Sequence, residues 1–131
     1  MIEQDYLMRI IKDIAKLLAK LILQKETASI DTSEDKEQTE NHFLYKRLVN
    51  LADNGKINEA ENLLYDIDTT DLQNYEVVLA FYTYLNDYTD DYLEECNFTR
   101  QEIESGLHDL SKKFGVTFYD SISRLLNFND S

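Results

Sequence analysis

MIEQDYLMRIIKDIAKLLAKLILQK, residues 1–25, is at once the most apolar stretch of this chain and a basic one. It holds five Lys or Arg against three acidic residues, a net +2, in a chain whose total is −13, which leaves −15 for the rest. At helical spacing Arg9, Lys12, Lys16 and Lys20 form one narrow stripe. Apolar residues at 6–8, 10, 11, 14, 15, 17–19, 21 and 22 cover more than half of the circumference. A helix lying on a single surface needs a much narrower apolar face. This one therefore needs cover from two or more directions, from its own chain, from a second copy, or from lipid.

A chain of 131 residues is expected to form one domain and to bury roughly two-thirds of the surface that its unfolded form exposes. Pro is absent and there are three Gly, while Leu, Glu, Asp, Lys and Asn recur in long periodic segments. That points to an all-α fold of about six helices, because Pro and Gly punctuate strand-rich folds. The acidic balance argues against nucleic acid as a partner, since phosphate binding is driven by Lys and Arg releasing counterions. Basic segments of proteins and cationic surfaces suit it better. The single cysteine, Cys96, has no internal disulfide partner, which fits a reducing compartment, the cytoplasm. Charges at Arg9, Lys12, Asp13, Lys16 and Lys20 exclude residues 1–23 as a signal peptide or a membrane span. An in-plane amphipathic helix remains open.

Three parts are expected: the N-terminal helix 1–25, a polar acidic connector 26–40, and a helical body 41–131. In the connector Asp31, Thr32 or Ser33 can cap a following helix. The body opens with a pair of antiparallel helices that turns at Asn54-Gly55, where Gly55 supplies the left-handed residue. Asn58 with Glu61 is expected to cap the second helix of the pair, and Thr70 with Gln73 a central helix over roughly 71–88. That central helix, with Leu72, Tyr75, Val77, Val78, Leu79, Phe81, Tyr82, Tyr84 and Leu85, has little polar circumference. A bend and one or two helical turns follow over 87–95. Thr99 with Glu102, flanked by Phe98 and Ile103, reads as a capping box with a hydrophobic staple, opening a helix that stops at Gly115. Thr117 can cap a last helix carrying Phe118, Ile122, Leu125 and Leu126.

Two resemblances add to this. Leu44, Leu51, Gly55, Ile57, Ala60 and Leu64, within 41–74, resemble one tetratricopeptide unit, although no second copy follows. Any tight helical hairpin shows similar spacing. Met1-Ile2-x-x-Asp5-Tyr6-Leu7-Met8-Arg9-x-Ile11, with Phe98-Thr99-Arg100-Gln101-Glu102-Ile103 and Gly106-Leu107, is similar to a set of small helical Firmicutes proteins known only as a domain of unknown function. That resemblance implies a helical bundle and a bacterial cytoplasmic setting. It carries no activity and no site residues.

The residues that could carry chemistry do not assemble into a motif. His42 and His108 lie far apart, and Glu104 shares a helix face with His108, which supplies two metal ligands at most. Asp66, Asp68 and Asp71, and the run Asp87, Asp90, Asp91, Glu94 and Glu95, lack the glycine on which a calcium loop turns. Cys96 and the serines stand in no nucleophile motif. No catalytic residue, cofactor or metal is expected. Gly106 lies inside a helix, where it costs ~1 kcal/mol relative to Ala, and either the close approach of another helix or a tolerant surface accounts for it.

The expectation for function is a non-enzymatic interaction module or scaffold that pairs with a second copy through Leu7, Ile11, Ile14, Leu18 and Leu21. Tyr84, Tyr88 and Tyr92 recur every four residues beside Asp87, Asp90 and Asp91. They either hold the Lys or Arg of a basic partner segment or complete the core with their hydroxyls in water. The alternative is peripheral membrane association through Arg9, Lys12, Lys16 and Lys20.

Overall fold

The structure is a computed structural model that describes residues 4–27 and 40–116, with the side chains of 5–20 in the first stretch. Within them the chain is all-α, six helices with no strand: α1 (Gln4–Thr27), α2 (Glu40–Asp53), α3 (Ile57–Tyr65), α4 (Gln73–Asn86), α5 (Asp90–Glu95) and α6 (Arg100–Lys113). The caps expected at 31–33, the helix from Thr117 and the side chain of Leu21 lie outside the described residues.

Three of the helix ends close in the same way. After α2 the Lys56 N–H reaches the Leu51 carbonyl and the Gly55 N–H the Ala52 carbonyl; after α6 Val116 and Gly115 repeat this on Ser111 and Lys112. Such closure needs a left-handed residue, and Gly55 (φ 81°) and Gly115 (φ 77°) supply it. After α5 the same pair of bonds runs from Phe98 to Leu93 and from Asn97 to Glu94, with Asn97 (φ 59°) in the glycine's place. Asn tolerates that conformation better than most side chains, because its short amide can bond locally.

The helix starts divide into those that follow the expected caps and those that do not. Thr99 accepts from the Glu102 N–H while the Glu102 carboxylate accepts from the Thr99 N–H, so α6 opens on the expected capping box. Phe98 and Ile103 on either side of it are both buried. Thr89 caps α5 through the Tyr92 N–H. Asn58 does not cap α3. Closure at Gly55 leaves only Lys56 before Ile57 enters the helix, so Asn58 already lies in the first turn and its amide donates to the Cys96 carbonyl at 3.4 Å. Nor does Thr70 cap α4. Asp68 accepts both its N–H and its hydroxyl, at 2.9 and 2.7 Å, while Asp71 accepts the Gln73 N–H. This local capture shortens the expected 71–88 helix to Gln73–Asn86.

Helix α4 is the hub, packed by α1, α2 and α6. Helix α2 runs parallel to it, with Asn41 beside Asn74 at one end and Asp53 beside Tyr84 at the other. Helix α6 runs antiparallel, with Tyr75 against Ser111 and Asn86 against Arg100. Helix α1, antiparallel as well, starts where the Asn86 amide donates to the Met8 carbonyl and also packs on α6. The antiparallel hairpin of α2 and α3 is present, but no second hairpin of its shape follows among the described residues, because α5 has six residues.

The apolar arc of α1 is taken up inside this arrangement. Leu7, Ile10, Ile11, Ile14, Ala15 and Leu18 are buried by the chain itself, Leu7 at 1% exposed and Ile11, Ile14 and Leu18 at 0%. Each such Leu or Ile contributes roughly 1.5–3 kcal/mol by leaving water. Arg9, Lys12, Lys16 and Lys20 remain on the outer face, all exposed.

Candidate functional site: an open groove on the central helix

The capped end of α4 is held by a buried cation. Arg100, 3% exposed, donates through Nη1 to the carbonyl and side chain of Asn86 at 2.7 and 3.0 Å and through Nη2 to the Tyr88 carbonyl at 2.7 Å. Its Nε reaches Asp90 at 3.0 Å, so one guanidinium ties α6 to the end of α4 and the start of α5. Sequence reasoning missed this residue. The available signal was a cation in the first turn of a helix, where the macrodipole opposes it and only a tertiary role justifies it.

Asp53 is the mirror case, an acid in the last turn of α2. Its carboxylate accepts the hydroxyls of Tyr84, at 2.8 Å, and of Tyr88, while the Tyr92 hydroxyl donates to the Ala52 carbonyl at 2.6 Å and accepts from the Gly55 N–H at 3.1 Å. The three rings lie against one another, with centroids 5.5 and 4.5 Å apart. The tyrosine stripe, read as either a holder of a basic segment or a completion of the core with hydroxyls in water, thus fastens the end of α2, with its hydroxyls on protein acceptors. Hydrogen bonding to Asp53 raises the Tyr84 phenol above its ordinary value, and burial followed by Asp53 raises that of Tyr88. Both are neutral donors at physiological pH.

On the side of α4 facing α3 and α6 the packing is close. Tyr82 is fully buried and donates to Glu61 at 2.7 Å, and a Cβ on Gly106 would stand 2.2 Å from the Tyr82 hydroxyl and 2.8 Å from the Glu61 carboxylate. Close approach is therefore what the glycine inside α6 allows. Burial, together with Glu102 and Asp109, raises the Glu61 carboxyl, against the lowering effect of the Tyr82 bond.

The opposite side of α4 is open among the described residues. Glu76, Ala80, Thr83 and Asp87 recur at four, three and four residues and so share one face, with Leu79 beside them. Together with Ala15 and Ala19 of α1 they floor a groove of about 620 Å³, walled by Lys12 and Lys16 on the α1 side and by Tyr45 and Tyr84 on the other. The Thr83 hydroxyl donates to the Leu79 carbonyl at 2.7 Å, so its proton is taken up by the backbone between the acids at the two ends of the floor. Pockets of 300–1,000 Å³ with an apolar lining and a few polar groups are typical binding sites.

The residues expected to form a seam between two copies are elsewhere. Leu7, Ile11, Ile14 and Leu18 sit in the chain's own core, because α4 and α6 cover them, and no partner can reach them without unfolding α1. The groove residues were missed in sequence because Ala and Thr give no chemical signal. The nearly unbroken apolar circumference of α4 was the available one. Cys96 is buried as a free thiol. No three His, Cys, Asp or Glu side chains come together as a metal set among the described residues, and no described helix is long and apolar enough to cross a membrane.

These features define a helical domain whose one central helix is wrapped on three sides and, among the described residues, left open on the fourth. The chain belongs to a family of unknown function, DUF6483, whose sequence model matches residues 1–115. That match ends on Gly115, the residue that closes α6. Neither the curated proteins nor the solved structures contain a match to this chain.

Proposed function

We propose that the chain is a non-enzymatic docking module that receives a helix of a partner in the groove over α4. One observation carries the reading: α4 is apolar nearly all round, as a helix enclosed on every side is, yet Ala80 is exposed and Thr83 half-exposed among the described residues. The vacant quarter runs parallel to α1 and α2 and has the shape of a missing bundle helix, the arrangement used by helix-in-groove recognition. Small side chains on the floor let an incoming backbone approach closely. A cytoplasmic setting suits the free thiol of Cys96.

The test uses the full chain and a 16-residue amphipathic helical peptide with a Leu and Ala face and an uncharged Gln flank. Methyl NMR signals of Ala15, Ala19, Ala80 and Thr83 are expected to shift on titration, and Ala80→Arg to abolish the shifts while leaving the fold intact. Shifts confined to other methyls would sink the reading.

Membrane association is the second reading, favoured by the exposed stripe of Arg9, Lys12, Lys16 and Lys20. Against it stands the enclosure of the apolar face of α1, since in-plane insertion needs that face in lipid. Co-sedimentation with vesicles rich in anionic lipid that resists 0.3 M salt would favour it over groove docking.

A further inference from the structure

One wall of the groove is cationic, and that wall selects its occupant. Lys12 and Lys16 stand one helical turn apart along the α1 wall, both exposed, and Lys20 continues the row one turn further on. None of these three lysines is ion-paired to a described residue, in a chain that carries 26 acidic residues. The opposite wall offers the rings of Tyr45 and Tyr84, the latter with its hydroxyl on Asp53. The only acids in the lining, Glu76 and Asp87, sit at the two ends of the floor strip rather than along the wall. A body this acidic repels anionic partners at long range, so a local cationic row beside an apolar floor is a specific attraction set against a general exclusion.

We infer that the occupant is an amphipathic helix of another protein whose apolar face lies on Leu79, Ala80 and Thr83 and whose flank toward α1 carries Asp or Glu at four-residue spacing, in register with Lys12, Lys16 and Lys20. A single helix suits the groove better than a folded surface does, because the open strip spans only the 12 residues from Glu76 to Asp87, about 17 Å of helix. An acidic residue every fourth position meets a lysine every fourth position at the same 6 Å repeat, roughly. Charge of this kind sets orientation and excludes wrong partners more than it adds affinity.

This inference rests on the docking reading, and the experiment separates the two. Three peptides share the Leu and Ala face and differ in flank, carrying Glu, Gln or Lys, and each is titrated into the full chain by fluorescence anisotropy at 50 and 300 mM salt. Binding is expected to rank Glu over Gln over Lys, with at least tenfold between the extremes at low salt and a gap that narrows at high salt. Lys12→Glu with Lys16→Glu is expected to invert that order, and Ala80→Arg to weaken all three. Equal or tighter binding of the Lys peptide overturns the acidic flank and leaves the docking reading standing. Loss of all binding in wild type overturns both. A dimer that Ala80→Arg dissolves, measured by sedimentation, assigns the groove to a second copy and overturns the partner helix. Adsorption to anionic vesicles that the double lysine variant abolishes and the Glu peptide does not compete overturns it in favour of lipid.

Discussion

The two sides of α4 follow opposite rules. Toward α3 and α6 the buried polar side chains are paired and a methyl added at Gly106 has nowhere to go: Tyr82 on Glu61, Tyr75 on Ser111 and Asn86 under Arg100 fix the helix in one position. Toward the groove the helix presents Ala80 and half-buried Thr83, which no described residue covers, between a row of exposed lysines and two tyrosine rings. The first side gives the fold its single arrangement, because tightly packed interiors tolerate neither a void nor an excess atom. The second can change its side chains without disturbing that arrangement, and a surface free to vary is one on which binding can be built.

Substitutions at matched positions would break or sharpen this contrast. Removing the buried cation should cost most. Arg100→Ala orphans the carbonyls of Asn86 and Tyr88 and is expected to destabilise by about 3 kcal/mol in urea unfolding, with Arg100→Lys recovering only part because an ammonium has three donors for the four acceptor atoms and lacks the planar fork that reaches them. Gly106→Ala comes next. Helix propensity alone would make it stabilising by ~1 kcal/mol, whereas the buried Tyr82 hydroxyl in its path makes a loss of about 2 kcal/mol the expected result. Adding Tyr82→Phe should recover part of that loss, a coupling that a double-mutant cycle reads directly.

Asp53→Ala should cost about 1 kcal/mol by taking the acceptor from Tyr84 and Tyr88. Because those phenols are raised in the folded chain, the stability they contribute is full below their unfolded value near ~10 and is lost as pH climbs beyond it. Absorbance at 295 nm should therefore show phenolate at lower pH in Asp53→Ala than in wild type. Glu61 is raised too, so the folded chain binds its proton more tightly than the unfolded chain does, and its contribution to stability falls as pH rises from below its unfolded value through its folded one. Glu61→Gln keeps an acceptor for Tyr82 and removes the charge. It should raise the melting temperature at pH 7 and leave it unchanged at pH 3. At the other extreme Ala80→Arg is expected to stay within ~0.5 kcal/mol of wild type, and a large loss there would show that the groove belongs to the core.

Local signals in the chain were read where the answer lay within a few residues. The capping box at Thr99 and Glu102 and the turns at Gly55 and Gly115 depend on backbone groups one helical turn apart, so residue identity specifies them. Asn58 and Thr70 show the limit of the same method, since each had a suitable side chain and lost the cap to a neighbour, Asn58 to the abrupt turn at Gly55 and Thr70 to Asp68. The tyrosine ridge was legible as a stripe but not as a clasp on Asp53, because the acid lies 31 and 35 positions away in sequence from the rings that bond it.

Periodicity and composition by themselves determined that the chain is helical, that the opening stretch, expected at 1–25 and found at Gln4–Thr27, forms a rod needing cover on several sides, and that α4 is central. These follow from intervals along one chain, which repeat whatever surrounds them. Only the tertiary structure decided what covers the rod, its own α4 and α6, and that the strip left uncovered by the described residues belongs to α4. Cover is a property of neighbours brought together from distant positions, and an alanine on a floor reads the same in sequence as an alanine in a core.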